Sequence, residues 1–163
     1  RQKSMTLSNK YFNNKILVMS LDKGINIQSS ADLKNYKVGT QADSAALESI
    51  KADKNYDSFA DNVSEYPTYD EAILDMKAGR IDVIVIDEVY ALYNNKNKTK
   101  LYQSDFDFGS DKYAVGFRKG DKELAAKVND AIQECIDDGT ADKICEKWFG
   151  KGSSLIINEG YDN

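Results

Sequence analysis

Two adjacent carboxylates, Asp87 and Glu88, end an apolar run in the segment RIDVIVIDEVY, residues 80–90. Residues 81–86 are mostly β-branched, which predicts a short strand buried on both faces, as in a parallel sheet. In open α/β sheets, ligands bind beyond the carboxyl ends of the strands. Asp87 therefore either caps the helix that follows it or binds a cationic group of a ligand.

A second polar segment, from Gln41 to Ala45, also follows a predicted strand and opens a predicted helix. Either Asp43 or Ser44 can cap this helix. The N–H groups at the start of a helix have no partner within the helix, and they bind anions. A carboxylate at one strand end and N–H donors at another suit a zwitterion. Together, the two segments predict a site for a free amino acid.

The composition narrows the classes of function. The chain has 163 residues, of which 41% are hydrophobic and 30% charged, as in a globular protein with one domain or two small lobes. Its formal net charge is -5 and no basic stripe offsets the acids, which argues against nucleic-acid binding. No run of residues approaches the roughly 20 apolar residues that a transmembrane helix needs.

Few residues are suited to catalysis or to metal binding. The chain contains no histidine, which excludes His-based triads and His metal ligands. Asp87 and Glu88 do not form an acid–base pair, because adjacent side chains at a helix start point apart. We therefore expect a protein that is not an enzyme and that uses neither a metal nor another cofactor.

The two cysteines, Cys135 and Cys145, are too few for a zinc site and too far apart in sequence for a redox pair. Two interpretations remain open. They are either small buried hydrophobic residues on neighbouring helices, or a single disulfide, which would indicate an oxidising compartment outside the cytoplasm.

Strands and helices alternate along the chain, which predicts an α/β fold with a mostly parallel sheet and right-handed crossovers. The predicted strands are residues 15–19, 37–41, 81–86 and 113–117. The predicted helices are residues 45–52, 68–78 and 88–93, followed by two helices between residues 121 and 149. Residues 94–100 are polar and predict a solvated loop.

The last two helices each carry apolar residues at helical spacing, which predicts a buried face on both. These residues are Leu124, Val128, Ile132 and Cys135 in the first helix, and Ile144, Cys145 and Trp148 in the second. The capping box Thr68–Glu71 and the glycine Gly79 mark the two ends of an earlier helix.

Four stretches, in order, resemble the extracytoplasmic amino-acid-binding proteins of ABC importers, the polar amino-acid family. Residues 1–12, RQKSMTLSNKYF, resemble its "ER-x-K-x-hydrophobic-x-F-S-x-x-Y" segment, and residues 37–46, KVGTQADSAA, resemble its "VGVQ-x-G-[ST]" turn. Residues 68–89 resemble its "eAl-x-x-L-x-x-G-r-x-D-a-x-x-x-D" segment. Residues 113–149 resemble its closing strand and its "DGT-x-x-k-i-x-x-K-W-F" ending. The resemblance covers residues 1–150.

The resemblance implies a periplasmic-binding-protein-like (Venus flytrap) fold that clamps its ligand between two lobes. By residue matching, Asp87 takes the α-ammonium group of the ligand, while Ser44 and the N–H of Ala45 take its α-carboxylate. Arg1 matches an arginine that grips the same carboxylate, and Gln41 falls where the family often contacts the ligand side chain. The simpler interpretations are a helix cap for Ser44, a frayed terminus for Arg1 and an ordinary strand-end residue for Gln41.

Asp43 departs from the family pattern, because the family usually has glycine at this position. The residue adds a side chain and a negative charge close to the predicted carboxylate site. If Asp43 caps the following helix, it also occupies N–H donors that the ligand would otherwise use.

The resemblance also implies that roughly the N-terminal third of such a protein is missing here. Residues 1–16 are then a remnant of one lobe with a hinge strand, and residues 17–114 form the complete ligand-binding lobe. Residues 115–150 supply a second hinge strand and C-terminal helices of the truncated lobe, and residues 151–163 are a tail. The apolar stripe of those helices then lacks its sheet, and exposing it costs about 1.5–3 kcal/mol per large side chain. We expect it to pack on the remaining lobe, to pair with another chain, or to stay poorly ordered.

The function that the resemblance implies is the capture of a free L-amino acid outside the membrane and its delivery to the membrane permease of an ABC importer. A cell-surface lipoprotein or a periplasmic protein would fit this role. The partners are then a free amino acid and the permease, with self-association through the C-terminal helices or pairing with the missing lobe as further expectations. The alternatives are an extracellular amino-acid sensor domain of a membrane receptor and an enzyme on the same fold.

Overall fold

Two long strands, β1 (Thr6–Ser20) and β5 (Tyr102–Phe117), connect the two structural units of the chain. A computed structural model describes residues 4–153 and 155–161. We call the two parts the central unit and the terminal unit. The central unit comprises Lys15–Ser110, and the terminal unit comprises Arg1–Asn14 and Asp111–Asn163.

The central unit is a sheet flanked by helices. Between the parts of β1 and β5 that belong to it, its elements are a 3-10 helix (Ser30–Asn35), β2 (Val38–Gln41), α1 (Ala45–Ala52), β3 (Val63–Tyr66), α2 (Tyr69–Lys77), β4 (Val83–Asp87) and α3 (Glu88–Asn97). The strand order is β3-β2-β4-β1, and β5 also neighbours β1. The first three strands are parallel, whereas β1 runs antiparallel to β4.

The strand β4 is buried on both faces, as the sequence predicts. Ile84 and Ile86 join a core cluster with residues of α2 and α3. Val83 and Val85 point the other way, into a second cluster that contains residues of α1 and the 3-10 helix. A strand with apolar residues at every position is stable only when both faces are covered, and here helices cover both.

The predicted helix ends are confirmed for α1 and α2. Ser44 caps α1, because its side chain accepts a hydrogen bond from the N–H of Leu47 at 3.1 Å. Thr68 caps α2 in the same way, through the N–H of Glu71 at 3.2 Å. Gly79 follows α2 with φ of 72°, a conformation that glycine adopts without strain.

Several elements differ from the sequence prediction. The sheet is mixed, with β1 antiparallel, and β1 and β5 are much longer than the predicted strands. Strand β3 was not predicted, because its sequence VSEY is polar in the middle. Helix α3 extends to Asn97 instead of ending near residue 93. The side chains of Asn94 and Asn95 bind the carbonyls of Thr99 and Leu101, so the polar run is held against the protein.

The terminal unit contains the remaining parts of β1 and β5, together with α4 (Lys122–Asp137), α5 (Thr140–Phe149) and β6 (Ile156–Glu159). Strand β6, also not predicted, runs antiparallel to β1. Gly139 separates the two helices with φ of 74°. Among the residues described, no helix combines the length and the apolar character that crossing a membrane requires.

The apolar face of α4 and α5 is largely exposed, which corrects part of the sequence prediction. Ile144 and Trp148 do not face inward, since they are 52% and 50% exposed, and Leu124 is 49% exposed. Of the two cysteines, Cys145 is buried but Cys135 is exposed, and both are free thiols. The helices are amphipathic as predicted and β6 contacts both, but the described part of this unit leaves Leu124, Ile144 and Trp148 about half exposed.

The exposed face includes an apolar groove of about 320 Å³. It is lined by Tyr11, Val128, Ala131, Ile132, Cys135, Ala141, Ile144 and Ile156. We refer to these residues, with Leu124 and Trp148, as the apolar face of the terminal unit.

The close packing of Gly39 in β2 generates a prediction about stability. A Cβ at this position would lie 2.3 Å from Cδ1 of Ile81 and 3.2 Å from Cε2 of Tyr66. We expect Gly39→Ala to lower the free energy of unfolding by about 1–3 kcal/mol, because Ile81 is buried and cannot move away freely. Thermal unfolding would show this as a midpoint several degrees lower.

Ile81→Val provides the matched control, because it removes the atom that the new methyl group would meet. Alone, Ile81→Val should lower the free energy of unfolding by about 0.5–1.5 kcal/mol. Combined with Gly39→Ala, it should recover part of the loss. If the effects of the two substitutions on the free energy of unfolding are strictly additive, close packing against Ile81 is not the cause of the loss in Gly39→Ala.

Candidate functional site

The candidate site lies at one edge of the central sheet, where three parallel strands end. Strands β3, β2 and β4 are followed there by the N-termini of α2, α1 and α3. Two hydrogen bonds fix the strand ends. The hydroxyl of Thr40 donates to the carbonyl of Val85 at 2.9 Å, and the N–H of Ala42 donates to the carbonyl of Tyr66 at 2.8 Å.

Four of the five site residues predicted from the sequence lie at this edge: Gln41, Ser44, Ala45 and Asp87. The fifth, Arg1, lies outside the described residues. The roles assigned to these residues remain predictions, and the four described residues lie at the edge where open α/β sheets bind their ligands.

The N-terminus of α1 presents hydrogen-bond donors. The Ser44 hydroxyl donates to the carbonyl of Gln41 at 2.7 Å and accepts from the N–H of Leu47. Within the described part of the chain, no hydrogen bond is formed by the N–H groups of Ala45 and Ala46. These two groups and the helix dipole favour an anion at this position.

Asp43 lies in the turn between β2 and α1 with φ of 54°. Only glycine adopts this left-handed region without strain, although aspartate tolerates it better than most residues. This backbone conformation therefore explains why the family that the chain resembles usually has glycine at this position. Because Ser44 is the cap, Asp43 does not occupy the helix N–H groups as a cap would.

Asp87 occupies the N-cap position of α3, but its side chain makes no capping hydrogen bond. Instead, its Oδ2 atom accepts a hydrogen bond from the hydroxyl of Tyr69 at 3.1 Å. The neighbouring Glu88 is directed to another group, since its Oε2 accepts from the N–H of Lys15 at 3.1 Å. The structure thus disfavours the interpretation of Asp87 as a simple helix cap.

Tyr69 is the residue of this edge that sequence reasoning did not identify as part of the site. It is 4% exposed, and burial raises the pKa of its hydroxyl well above the usual value, with the charge of Asp87 as the next cause. The signal in the sequence is a tyrosine at the first position of α2, but its type and spacing do not by themselves assign it to a site.

Gln41 is held toward the start of α2. Its side-chain Nε2 donates to the carbonyl of Pro67 at 3.1 Å. Its amide oxygen can therefore act as the acceptor toward other groups. As for metals, the described residues contain no group of three side chains suited to hold an ion.

Comparison with a protein-family model identifies the chain over residues 1–151 as similar to "Bacterial extracellular solute-binding proteins, family 3". Two curated relatives are the L-cystine-binding protein TcyJ of Escherichia coli strain K12 and the L-arginine-binding protein of Pseudomonas aeruginosa. The first is 34% identical over 76% of this chain and 46% of its own length. The second is 30% identical over 91% of this chain and 60% of its own length.

Solved structures agree with this comparison. An ABC uptake transporter substrate-binding protein from Streptococcus pneumoniae, with bound histidine, is 30% identical with a TM-score of 0.74. The match covers 93% of this chain and 63% of that one. An ancestral arginine-binding protein bound to glutamine is 33% identical with a TM-score of 0.69, over 93% of this chain and 66% of that one. The periplasmic-binding-protein-like fold that the sequence predicts is thereby confirmed.

The chain spans about half the length of the curated relatives that it matches, from 46% to 60% in the two examples above. The relatives are named as binding proteins rather than enzymes. Because the family model matches nearly the whole chain, the chain belongs to the bacterial extracellular solute-binding proteins, family 3.

Proposed function

We propose that this chain binds a free L-amino acid outside the membrane and is part of the solute-binding component that delivers it to the permease of an ABC importer. The observation that supports this most is the Asp87 carboxylate at the end of β4. It does not cap its own helix, and it lies at the same sheet edge as the N–H donors of α1. An acid and a set of donors at one edge suit the two charges of an amino acid.

In this proposal each site residue has a distinct role. Asp87 accepts hydrogen bonds from the α-ammonium group, and Ser44 with the N–H of Ala45 binds the α-carboxylate. Arg1 grips the same carboxylate, and Gln41 contacts the ligand side chain. The named ligands of the relatives, which are cystine, arginine, histidine and glutamine, differ in the side chain but share both charged groups.

The extracytoplasmic location is supported by the family, whose description is extracellular. A lipid anchor on the cell surface and a periplasmic location both fit the proposed delivery to a membrane permease. We assign no catalytic step to the site, in keeping with relatives that are named as binding proteins.

The first test is thermal unfolding of the chain with L-arginine, L-histidine, L-glutamine and L-cystine. An amino acid at 100 times its dissociation constant should stabilise the fold by about 2.7 kcal/mol, which raises the midpoint by several degrees. We expect Asp87→Ala to abolish this shift, because the α-ammonium group loses its counter-charge.

The control for this test is Asp61→Ala, which removes an exposed carboxylate from the same unit and changes the net charge equally. It should leave the shift unchanged. If no amino acid raises the midpoint of the wild-type chain, or if Asp87→Ala retains the shift, the proposed site is wrong for this chain.

Asp43 provides a second test, because its charge lies beside the proposed carboxylate site. Asp43→Gly and Asp43→Asn both remove the negative charge, and asparagine also tolerates the left-handed backbone. We expect both variants to bind the amino acid about fivefold more tightly at low salt, since like charges near 4 Å cost about 1 kcal/mol in water. The gain should shrink at high ionic strength.

Titration calorimetry at low and high salt measures this effect. Equal gains in the two variants indicate charge, whereas a gain confined to Asp43→Gly indicates backbone strain. Unchanged affinity in both variants would show that the ligand carboxylate does not bind near this turn.

We also propose that the central unit corresponds to the complete ligand-binding lobe and the terminal unit to part of the other lobe. The chain matches only about half of its curated relatives, and the apolar face of the terminal unit is exposed. We propose that the occupant of this face is a segment like the part of the relatives that this chain does not match. Self-association through the same helices is the competing outcome.

This proposal is tested by producing the chain together with the unmatched part of the P. aeruginosa L-arginine-binding protein, followed by light scattering on a sizing column. We expect a one-to-one complex that Ile144→Glu disrupts, because the charge would enter an apolar interface. Leu74→Glu is the control, since Leu74 is 59% exposed but belongs to the central unit. The proposal would be overturned if the chain forms a dimer with itself and does not bind the added segment.

A further inference from the structure

The N-termini of α2 and α3 are connected by two reciprocal tyrosine–aspartate contacts. Tyr69 of α2 donates its hydroxyl hydrogen bond to Asp87 at the start of α3. Tyr90 of α3 forms a side-chain hydrogen bond with Asp70 in the first turn of α2. The two rings lie between these contacts, with centroids 5.2 Å apart and an interplanar angle of 50°. The paired rings and the two crossed contacts fix one helix start against the other.

The two tyrosines differ in the role of the aspartate that each contacts. Tyr90 reaches Asp70, which also binds Lys98 at 2.9 Å on the surface and has no role in the proposed site. Burial raises the pKa of Tyr90 to about 12, with the hydrogen bond to Asp70 as the next cause. Tyr69 instead reaches Asp87, so its buried hydroxyl contacts the acid of the proposed site.

We propose that Tyr69 is the positioning residue of the amino-acid site, whose buried hydroxyl holds the Asp87 carboxylate in place before the ligand arrives. This inference rests on the proposed function and adds to it a residue that does not itself need to touch the ligand. Tyr69 acts through Asp87.

The physical reason is preorganisation. A ligand that has to immobilise a mobile side chain loses part of its binding free energy. A hydrogen bond from a ring locked by packing removes that cost in advance. Because a carboxylate accepts about four hydrogen bonds, the contact with Tyr69 leaves capacity for an ammonium group.

The binding test compares Tyr69→Phe with Tyr90→Phe. Both variants keep the aromatic ring and lose one hydroxyl, but only the first loses the contact with Asp87. We expect Tyr69→Phe to weaken binding at least about tenfold, since hydrogen bonds to charged groups are the strong ones, while Tyr90→Phe changes it less than about twofold. The ligand is whichever of L-arginine, L-histidine, L-glutamine and L-cystine gives the largest thermal shift.

Equal effects of the two variants on the affinity would overturn the proposal, because a general loss of packing predicts equality. Circular dichroism confirms that each variant is folded before the titration. Both measurements use the full 163-residue chain.

A second test needs no ligand and therefore separates this inference from the proposed function. In thermal unfolding, Tyr69→Phe should lower the midpoint by several degrees in the wild-type chain and clearly less in the Asp87→Ala background. Tyr90→Phe should lower it equally in both backgrounds. If the effects of Tyr69→Phe and Asp87→Ala are additive, Tyr69 does not position Asp87 and the inference fails.

The two tests together identify which proposal fails. A wild-type chain that binds none of the four amino acids contradicts the proposed function, while coupled unfolding of Tyr69 and Asp87 still supports the positioning contact. If the wild-type chain binds an amino acid but the effects of Tyr69→Phe and Asp87→Ala on unfolding are additive, the proposed function is supported and the positioning role of Tyr69 is contradicted.

Discussion

The parallel pairing of β2 with β3 and β4 is the constraint on which the candidate site depends. Parallel strands bring their carboxyl ends to one edge, so the connections from β2 to β3 and from β3 to β4 must be crossovers. Both crossovers begin with a helix, and α3 follows β4 at the same edge. Three helix N-termini therefore meet where the chain also places Ser44, Tyr69 and Asp87. The buried hydrogen bond from Thr40 to the carbonyl of Val85 keeps β2 and β4 aligned near that edge. The position of the α1 N–H groups relative to Asp87 is therefore set mainly by the backbone pairing of the strands, and side-chain contacts add to it.

The elements that sequence reasoning located well are those with a local signal. Caps such as Ser44 and Thr68 and the glycine at 79 act within a few residues, so their patterns can be recognised without the fold. The antiparallel placement of β1 could not be predicted in this way, because it depends on which strand lies beside β4. The inward orientation of Ile144 and Trp148 was wrong for a related reason. Amphipathic spacing shows that a helix has an apolar face, but it does not show whether the chain supplies a cover.

In the candidate site, the sequence located the strand-end residues, and their chemical types suggested an amino acid as the ligand. The contact of Asp87 with Tyr69 could not be predicted, because the two residues are 18 positions apart and meet only after α2 packs against the sheet that contains β4. The same contact disfavours the interpretation of Asp87 as a helix cap, because its carboxylate is directed to α2 and makes no capping bond to α3. Its role toward a ligand stays a prediction.

The unequal exposure of the two thiols has a practical consequence. Cys135 lines the apolar groove and is exposed, whereas Cys145 is only 1% exposed. A maleimide fluorophore would therefore react with the native protein mainly at Cys135, without any engineered cysteine. Its emission would report on the polarity of the groove, so whatever covers the apolar face of the terminal unit could be followed in real time by a single dye.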